Sequence, residues 1–390
     1  MRLLGKRGSR VSAVILLWIS FSFLTGGTLF ASGGTDKGEP RPVWDEGITY
    51  LLAAAKNKDS AFDAQKVAGL LDFVASEKGG DANLNPGKRD NATGAYFYSD
   101  VRVSLAKVLK YVYNPRIPAS VTYPSVVRLC GWQVKPSGPF ANLWERIGNL
   151  TAPLVMRGVE YEEITPDLTM GAYYRYDMDR LMVLMNHRGR DFFISVTRQK
   201  NPSSVGRKGA IIGPDTDWTY FYSGEKGLNR TGLGWVNSYM YDAFSVTIFF
   251  EHGAAQPQTR CATFKWLNAG WSGINMVKRE NILEGCRRYA SGFKRVLESP
   301  QLPEAEYLVD LFARIKSLTD QDLTARLQPV AAALKKLDRT DPALARSDFR
   351  EMIESGKYLK GMSREEKEYL LMSESMKITI GKPSLLDKSL

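Results

Sequence analysis

Apolar and polar residues alternate along several short segments between residues 154 and 297 of the 390-residue chain. In one of them, Phe244, Val246 and Ile248 occupy every second position, with Ser245 and Thr247 between them. A period of two, rich in aromatic and β-branched residues, is typical of strands with one covered face. The pattern predicts strands at 155–164, 170–177, 180–187, 192–197, 218–223, 235–241, 244–251 and 261–266.

The connections between these predicted strands are short and carry residues typical of turns. They lie at Pro166–Asp167, Asp177–Asp179, His187–Gly189 and Tyr241–Asp242. Short connections favour antiparallel pairing, because a parallel crossover needs about a dozen residues or more. The sequence therefore predicts an antiparallel meander.

After Asn275 the apolar spacing changes to that of a helix, and Ser299–Pro300 ends this run. The apolar positions are Ile282, Leu283, Cys286, Tyr289, Ala290, Phe293, Val296 and Leu297. A helix of about twenty residues is about 30 Å long, enough to lie across a curved sheet and cover its apolar face. The predicted fold class is α+β: a curved antiparallel sheet covered by a long helix and followed by a small helical tail.

The first residues are typical of a targeting segment. Four basic residues accompany an apolar run at 11–24, and small residues follow at 31–34. This order indicates a secretory signal peptide, which we predict at 1–31, with export to the periplasm. A retained anchor in the inner membrane is the alternative, because the run 11–31 is nearly long enough to span a bilayer.

The rest of the chain divides into four regions by pattern. Residues 32–94 combine a polar linker with apolar residues at helical spacing, and 95–298 hold the predicted strands and the long helix. Helical spacing returns in 299–376, which forms either a separate subdomain or a cover on the β-rich part. A flexible tail is predicted at 377–390.

An opening strand, a helix that ends near Asn114-Pro115, a series of strands and a long final helix follow one another. The residues involved are AYFYSDVRVSLAKVLKYVYNP, from Ala95, and KWLNAGWSGINMVKRENILEGCRRYASGFKRVL, from Lys265. This order resembles the START-like, or helix-grip (SRPBCC-type), superfamily over about residues 95–298. The resemblance implies a cavity between sheet and helix that binds lipids or other apolar molecules; a few members catalyse reactions there. The sequence departs from the family in a helix-like insert at 137–149 and a long loop at 206–217.

The net charge of +11 becomes +7 without residues 1–31, which hold four basic and no acidic residues. A mild positive charge favours a membrane surface or an acidic envelope protein as partner, although a soluble basic protein is the simpler interpretation. Because no run of about five or six basic residues occurs, we expect no nucleic acid partner.

The chain has three cysteines, Cys130, Cys261 and Cys286, and no CxxC motif. Cys261 and Cys286 would face each other if the long helix lies on the sheet, which permits a disulfide. Three buried thiols are the simpler interpretation.

Short polar motifs have simpler structural interpretations. His187 and His252 are too few for a catalytic triad or a zinc site. Gly213–Asp217 lacks the later ligands of a calcium loop, and Gly224–Gly234 matches no phosphate-binding loop. We therefore expect no metal ion and no cofactor.

Glu160, Glu162 and Glu163 cluster near Asp167 in the sequence. Paired carboxylates can serve acid–base catalysis, but acidic residues at a strand end are ordinarily solvated. We therefore expect no catalytic residue among them.

Aromatic residues are dense in the predicted strands between 173 and 271. On the inner face of a curved sheet they would line a mostly apolar pocket with a few polar groups. A filled aromatic core without ligand is the alternative. The predicted lining residues are Tyr174, Tyr176, Phe192, Trp218, Tyr220, Tyr222, Trp235, Tyr239, Phe264 and Trp266.

These patterns together predict an exported, non-catalytic protein that binds a hydrophobic or lipid-like molecule between sheet and helix. One alternative is an envelope-associated scaffold whose helical tail docks a partner. The other is an enzyme on the same scaffold, such as a hydrolase, that uses Tyr, Asp or Glu near the pocket mouth. An ionisable group in the pocket with a strongly perturbed pKa would favour the enzyme.

Overall fold

The alternating segments form one large antiparallel sheet in the computed structural model. The structure describes residues 42–57, 60–137, 140–167, 170–230, 234–253, 256–345 and 347–386, with the backbone alone at 170, 228–230, 234, 235 and 347. The predicted signal peptide lies outside the described residues. All described residues belong to one unit, Arg41–Leu390.

The strands follow the predicted meander only in part. The segment 239–252 forms one strand through the predicted turn at Tyr241–Asp242, which is therefore wrong, and several strands lie in smaller sheets. The strands are β1 (Thr93–Val101), β2 (Val127–Ser137), β3 (Leu154–Ile164), β4 (Met170–Tyr173), β5 (Arg175–His187), β6 (Arg190–Gln199), β7 (Arg207–Ile211), β8 (Tyr220–Lys226), β9 (Leu228–Arg230), β10 (Gly234–Val236), β11 (Tyr239–His252), β12 (Gln258–Trp271) and β13 (Ile274–Asn275). The large sheet has eight strands in the order β1-β12-β11-β6-β5-β3-β2, with β13 paired to β12. Smaller sheets join β4, β7 and β8, and β9 with β10.

Helices precede, interrupt and follow the sheet. They are α1 (Val43–Lys56), α2 (Gln65–Ala75), α3 (Leu105–Val112), α4 (Ala119–Thr122), α5 (Arg279–Leu297), α6 (Ala305–Ser317), α7 (Asp320–Arg326), α8 (Gln328–Leu337), α9 (Ser347–Glu354), α10 (Lys357–Lys360) and α11 (Arg364–Thr379). The α+β class is confirmed, with a large antiparallel sheet and helices C-terminal to it. In the part of the chain that the structure describes, no helix has the length and apolar composition needed to cross a membrane.

The predicted turn at Asp177–Asp179 is wrong, because β5 runs through it without a break. Asp177 pairs with Tyr161 of β3, and Asp179 pairs with Val159 on one side and Arg198 on the other. The sequence suggested a turn because two aspartates stand close together. In the strand, however, their carboxylates have local partners: the Gln133 amide donates to Asp177 at 2.7 Å.

Four strands, β2, β7 and the short β9 and β13, lie where the sequence predicted none. β2 occupies the region before the predicted insert at 137–149 and ends at its first residue; among the other described residues of the insert, a short 3-10 helix lies at Leu143–Arg146. β7 occupies part of the predicted loop at 206–217. The second half of β2 is exposed and polar, so it carries no apolar alternation that would have marked it as a strand.

One face of the large sheet, here called the α1–α2 face, packs against α1 and α2. Its buried residues include Tyr96, Val183, Phe192, Ile194, Val196, Phe244, Val246, Ile248, Ala262, Phe264 and Trp266. The ring centres of Trp44, from α1, and Phe264 lie 5.2 Å apart. Because these side chains are buried, this face is a closed core. Each large apolar side chain buried in this way stabilises the fold by about 1.5 to 3 kcal/mol.

The opposite face, here called the α5 face, lies towards α3, α5 and the C-terminal helices. Phe249 of the sheet, Phe293 of α5 and Leu334 of α8 belong to one apolar cluster. The helical tail is therefore packed on the β-rich part and does not form a separate subdomain. α5 packs chiefly along β1 at the sheet edge and meets β12 over a short stretch.

The end of the chain differs from the predicted flexible tail. α11 continues past residue 376 to Thr379, and Ser384 and Leu385 are buried. The Glu374 carboxylate accepts hydrogen bonds from the Ser384 hydroxyl (2.7 Å) and the Leu385 amide (2.6 Å). A polar residue inside the helix thus anchors the tail, which no apolar periodicity could indicate.

The cysteines are free thiols: Cys261 and Cys286 are buried and Cys130 is partly buried. The disulfide that the sequence permitted between Cys261 and Cys286 is not formed. Burial raises the pKa of the Cys261 thiol to about 12, which keeps it protonated and unreactive at neutral pH.

Two glycine-to-alanine changes test the packing of β1 against the end of β12. A methyl group at Gly94 would lie 2.1 Å from the Gly87 carbonyl oxygen and 2.5 Å from Trp266 Nε1, which itself donates to that carbonyl at 3.1 Å. Gly94→Ala is expected to lower the free energy of unfolding by about 1 to 3 kcal/mol in urea denaturation.

Gly285→Ala is the matched control, because nothing lies within 4 Å of the added methyl group on α5. Alanine favours the helix by about 1 kcal/mol over glycine, so this variant should be more stable than the wild type. Equal effects of the two changes would contradict the described packing at Gly94.

Candidate functional site

The α5 face of the sheet carries small hydroxyl residues and charged residues at its centre. One row across β5, β6, β11 and β12 consists of Arg180, Thr197, Ser245 and Lys265, each paired directly with the next. The adjacent row holds Ser195, Thr247 and Thr263. We call these seven residues, together with Glu160, Glu162 and Tyr176 on the same face, the polar floor.

Several floor residues keep accessible surface although they lie in the middle of the sheet. Ser245, Thr247 and Lys265 are partly exposed, whereas their neighbours on the other face, Val246 and Phe264, are fully buried. The centre of a sheet face stays accessible only if open space lies above it. We call the space between the polar floor and α5 the hollow.

The hydroxyl groups of the floor bond mainly to one another. Thr197 Oγ1 and Ser245 Oγ are 2.8 Å apart, and Thr247 Oγ1 and Thr263 Oγ1 are 3.2 Å apart. A hydroxyl has one proton to donate and two acceptor positions. These pairs therefore leave acceptor positions open for a bound molecule.

Arg180 is the central charge of the floor. Its guanidinium lies 2.8 Å from a carboxylate oxygen of Glu160 and donates to Ser195 Oγ at 3.1 Å. Burial is the largest single influence and lowers the pKa of Arg180, but Glu160, Tyr113, Glu162 and Tyr123 together raise it above its ordinary value, so the group stays charged. Arg180 Nε is buried and has no acceptor among the residues described. The ion pair is therefore incompletely satisfied within the chain.

Glu162 lies two residues beyond Glu160 on the same face of β3, where it pairs with Tyr176. Its carboxyl group forms no hydrogen bond or ion pair within the described residues. Burial, and then the charge of Glu160, raise the pKa of Glu162 to about 7, while Lys265 and Arg180 act in the opposite direction. An acid group that changes charge near neutral pH thus faces the hollow.

Lys265 is the second charge of the floor that lacks a partner in the described part of the chain. Its charge acts to lower the pKa of Glu162 and the pKa of the Cys286 thiol on α5. In both groups burial has the larger, opposite effect, so both pKa values are raised. The Lys265 ammonium group is therefore close to both the carboxyl side of the floor and the helix above. Lys265 and Glu162 face the same space.

Three tyrosines border the hollow on the helical side. Tyr113 ends α3, Tyr123 ends α4, and Tyr289 lies on α5. The rings of Tyr123 and Tyr289 are 5.0 Å apart, and Tyr113 packs against Phe193 of β6 at 4.3 Å. Burial raises the pKa of all three hydroxyls, so they stay protonated and can donate hydrogen bonds.

The predicted lining residues do not form one pocket. Of the ten, Tyr176 lies on the polar floor. Phe192, Phe264 and Trp266 are buried on the α1–α2 face, on the wrong side of the sheet for the hollow. The aromatic alternation had been assigned to the face that the long helix covers, but α1 and α2 bury that face instead.

The other predicted lining residues lie elsewhere. Trp218, Tyr220 and Tyr222 border a separate cavity of about 50 Å³ beside α11, which has room for a water molecule or two but not for a lipid. The Tyr174 hydroxyl bonds to Ser238 Oγ at 2.9 Å, and Tyr239 stacks on Tyr241 with ring centres 6.0 Å apart. The Trp235 side chain lies outside the described residues.

The acidic cluster is not solvated, contrary to the sequence interpretation. Glu160 and Glu163 are buried, and they point to opposite sides of β3. Glu163 pairs with Arg128 at 2.5 Å, away from the hollow. The sequence could have indicated this only through the alternation of Glu160 and Glu162 with apolar strand residues.

The remaining polar motifs have structural partners. His187 pairs with Asp72 at 2.8 Å and His252 with Asp100 at 3.1 Å. Asp215, from the predicted Asp-rich turn, pairs with Arg288 of α5 at 2.6 Å. The residues described include no group of three or more His, Cys, Asp or Glu side chains that could hold a metal ion.

No protein-family model matches the chain, and no curated protein matches it. The geometry of the polar floor and the hollow is therefore the basis on which a function can be proposed.

Proposed function

We propose that this protein is exported and binds a small amphipathic molecule in the hollow, in a helix-grip-like arrangement with α5 covering a curved sheet. The observation that carries the proposal is the composition of the polar floor. A face that served only as core would be expected to be apolar, like the α1–α2 face. Instead, hydroxyl groups and charges occupy its centre and remain accessible.

Energetics support a ligand. A polar group buried without a partner costs about 1 to 3 kcal/mol, and an unpaired charge costs more. Arg180 Nε, Glu162 and Lys265 all lack full partners within the described chain. A bound molecule that supplies these partners would remove this loss of stability. Without the molecule, the folded protein remains less stable by the same amount.

The two sides of the hollow suggest an amphipathic ligand. The floor offers hydroxyl and charged groups, whereas the helical side offers the rings of Tyr123, Tyr289 and Phe293. The hydrophobic or lipid-like ligand expected from the sequence would therefore also need a polar group. That polar group would lie on the floor, and the apolar part would lie against the rings.

Native mass spectrometry of the mature protein, purified from its own envelope, tests the proposal. A co-purifying adduct is expected, and organic extraction would identify its class. Thr247→Leu places an apolar side chain on the floor and should weaken uptake of the extracted molecule by about tenfold or more. Thr340→Leu, at an exposed position in the tail, is the matched control and should bind like the wild type.

A clean apo mass, together with no uptake of fluorescent fatty acids or phospholipids, would contradict the proposal. An interaction scaffold would then be the better interpretation. That scaffold has less support, because the tail buries its apolar faces in the shared core.

A second candidate function, an enzyme on the same scaffold, is supported by Glu162. A general acid or base works best when its pKa lies near the working pH, and the pKa of Glu162 is about 7. Nearby Glu160 forms an ion pair with Arg180. Hydrolysis of chromogenic esters and glycosides by the wild type, lost in Glu162→Gln but kept in Glu145→Gln, would support this function.

A further inference from the structure

We infer that the hollow binds a zwitterionic polar group, with the cationic end on Glu162 and the anionic end on Lys265. This inference rests on the proposed function and specifies its ligand. The two side chains belong to the same face of one sheet, and neither forms an ion pair within the described residues.

The strand register places the two charges at different ends of the floor. Lys265 lies in the row of Ser245, Thr197 and Arg180. Arg180 pairs with Gly158 of β3, and Glu162 lies four residues further along that strand. The charges are thus offset both across the sheet and along it, yet Lys265 acts on the ionisation of Glu162 across the hollow.

The charges of the floor balance in a specific way. Arg180 and Glu160 neutralise each other in a direct ion pair. Lys265 and Glu162 remain as one cation and one anion that do not pair with each other. A singly charged ligand would satisfy one of them and leave the other without a partner, whereas a zwitterion satisfies both.

The residues between the two charges fit an anionic group beside Lys265. Ser245 and Thr197 lie next to Lys265 in its row. Because one of these hydroxyls donates to the other, the second keeps its proton free to donate to a phosphate or carboxylate oxygen. Tyr176, beside Glu162, offers an aromatic ring to the cationic end. Phosphocholine-like and phosphoethanolamine-like groups have this chemistry.

Three probes with the same alkyl chain test the inference: dodecylphosphocholine, dodecyltrimethylammonium and dodecyl methyl phosphate. Binding to the full mature protein is measured by calorimetry at pH 8, below the micelle-forming concentrations. At this pH Glu162 is ionised, because its pKa is about 7. The wild type should bind the zwitterion about tenfold more tightly than either singly charged probe.

Substitution of each charged residue should remove one of the two differences in affinity. Lys265→Met should bind the zwitterionic and the cationic probe equally well, and Glu162→Gln should bind the zwitterionic and the anionic probe equally well. Lys265→Arg keeps the charge and should keep the preference, which separates a charge effect from damage to the fold. Lys357→Met, at an exposed lysine of the tail, should not change any of the three affinities.

Equal affinity for the three probes would overturn the inference, while the proposed binding function would stand. The same holds if Lys265→Met and Glu162→Gln change all three affinities alike. If the wild type binds none of the probes but carries another adduct from the envelope, the zwitterion is also excluded. Failure to bind any probe, together with a clean apo mass, would instead contradict the proposed function.

Discussion

Arg128→Met should lower the free energy of unfolding by about 3 to 5 kcal/mol, because it leaves the buried Glu163 carboxylate without its partner and removes the ion pair of the partly buried Glu366. The Arg128 side chain is 7% exposed and pairs with Glu163 of β3 (2.5 Å) and Glu366 of α11 (2.7 Å). It also lies over the Tyr222 ring at 4.0 Å. One guanidinium thus fixes the last helix to the sheet.

Urea denaturation of purified variants measures this effect. Arg102→Met is the matched control, because Arg102 also pairs with a glutamate, Glu298, but its side chain is 77% exposed. Exposed pairs contribute about 1 kcal/mol or less. Arg128→Lys should lie between the two, because lysine keeps the charge but cannot hold both carboxylates in a planar fork. A loss in Arg128→Met no larger than in Arg102→Met would refute the role of the buried pair.

Glu162→Gln is expected to stabilise the protein at pH 8 and to leave its stability at pH 4 almost unchanged. Burial and Glu160 raise the pKa of Glu162 from 4.5 to about 7 in the folded state. The folded protein therefore loses stability as the pH rises from about 4.5 through about 7, where the carboxyl ionises in the hollow. Glutamine removes this loss.

The gain at pH 8 should be at most on the order of 3 kcal/mol, and smaller to the extent that water screens the partly exposed group. Urea denaturation of wild type and variant at both pH values gives the difference. Glu145→Gln, at an exposed glutamate, is the control and should show no pH-dependent difference. A gain of the same size at pH 4 and pH 8 would show that ionisation of Glu162 is not its cause.

The strands at the centre of the sheet were predictable because one of their faces is uniformly apolar. β6, β11 and β12 lie where Phe192, Phe244 and Phe264 alternate with polar neighbours. The sequence did not reveal which helices cover that face. α5 is amphipathic and follows the strands, but the apolar faces of α1 and α2 compete for the same surface and bury it.

The candidate site was harder to predict, because it depends on strand order. Lys265 and Arg180 belong to the same row because β11 and β6 lie between β12 and β5 in the sheet, an order that the sequence does not reveal. From the sequence alone, Glu162 is expected to lie at the surface. The structure places it inside the sheet, because β3 pairs with β2 on one side and with β5 on the other. Tyr289 was the one signal available, as a polar-tipped residue on the apolar side of the predicted helix.

The neighbours β1 and β12 come from distant parts of the chain, since Thr93 pairs with Leu267. During synthesis α1 and α2 leave the ribosome well before β6, β11 and β12, on which their apolar faces pack. Contacts between such distant segments form slowly, because a long loop must close first. The nascent chain therefore exposes two apolar helical faces until β12 is complete. We therefore expect the nascent chain to bind a holding chaperone, and slow folding of this kind suits the export that we propose.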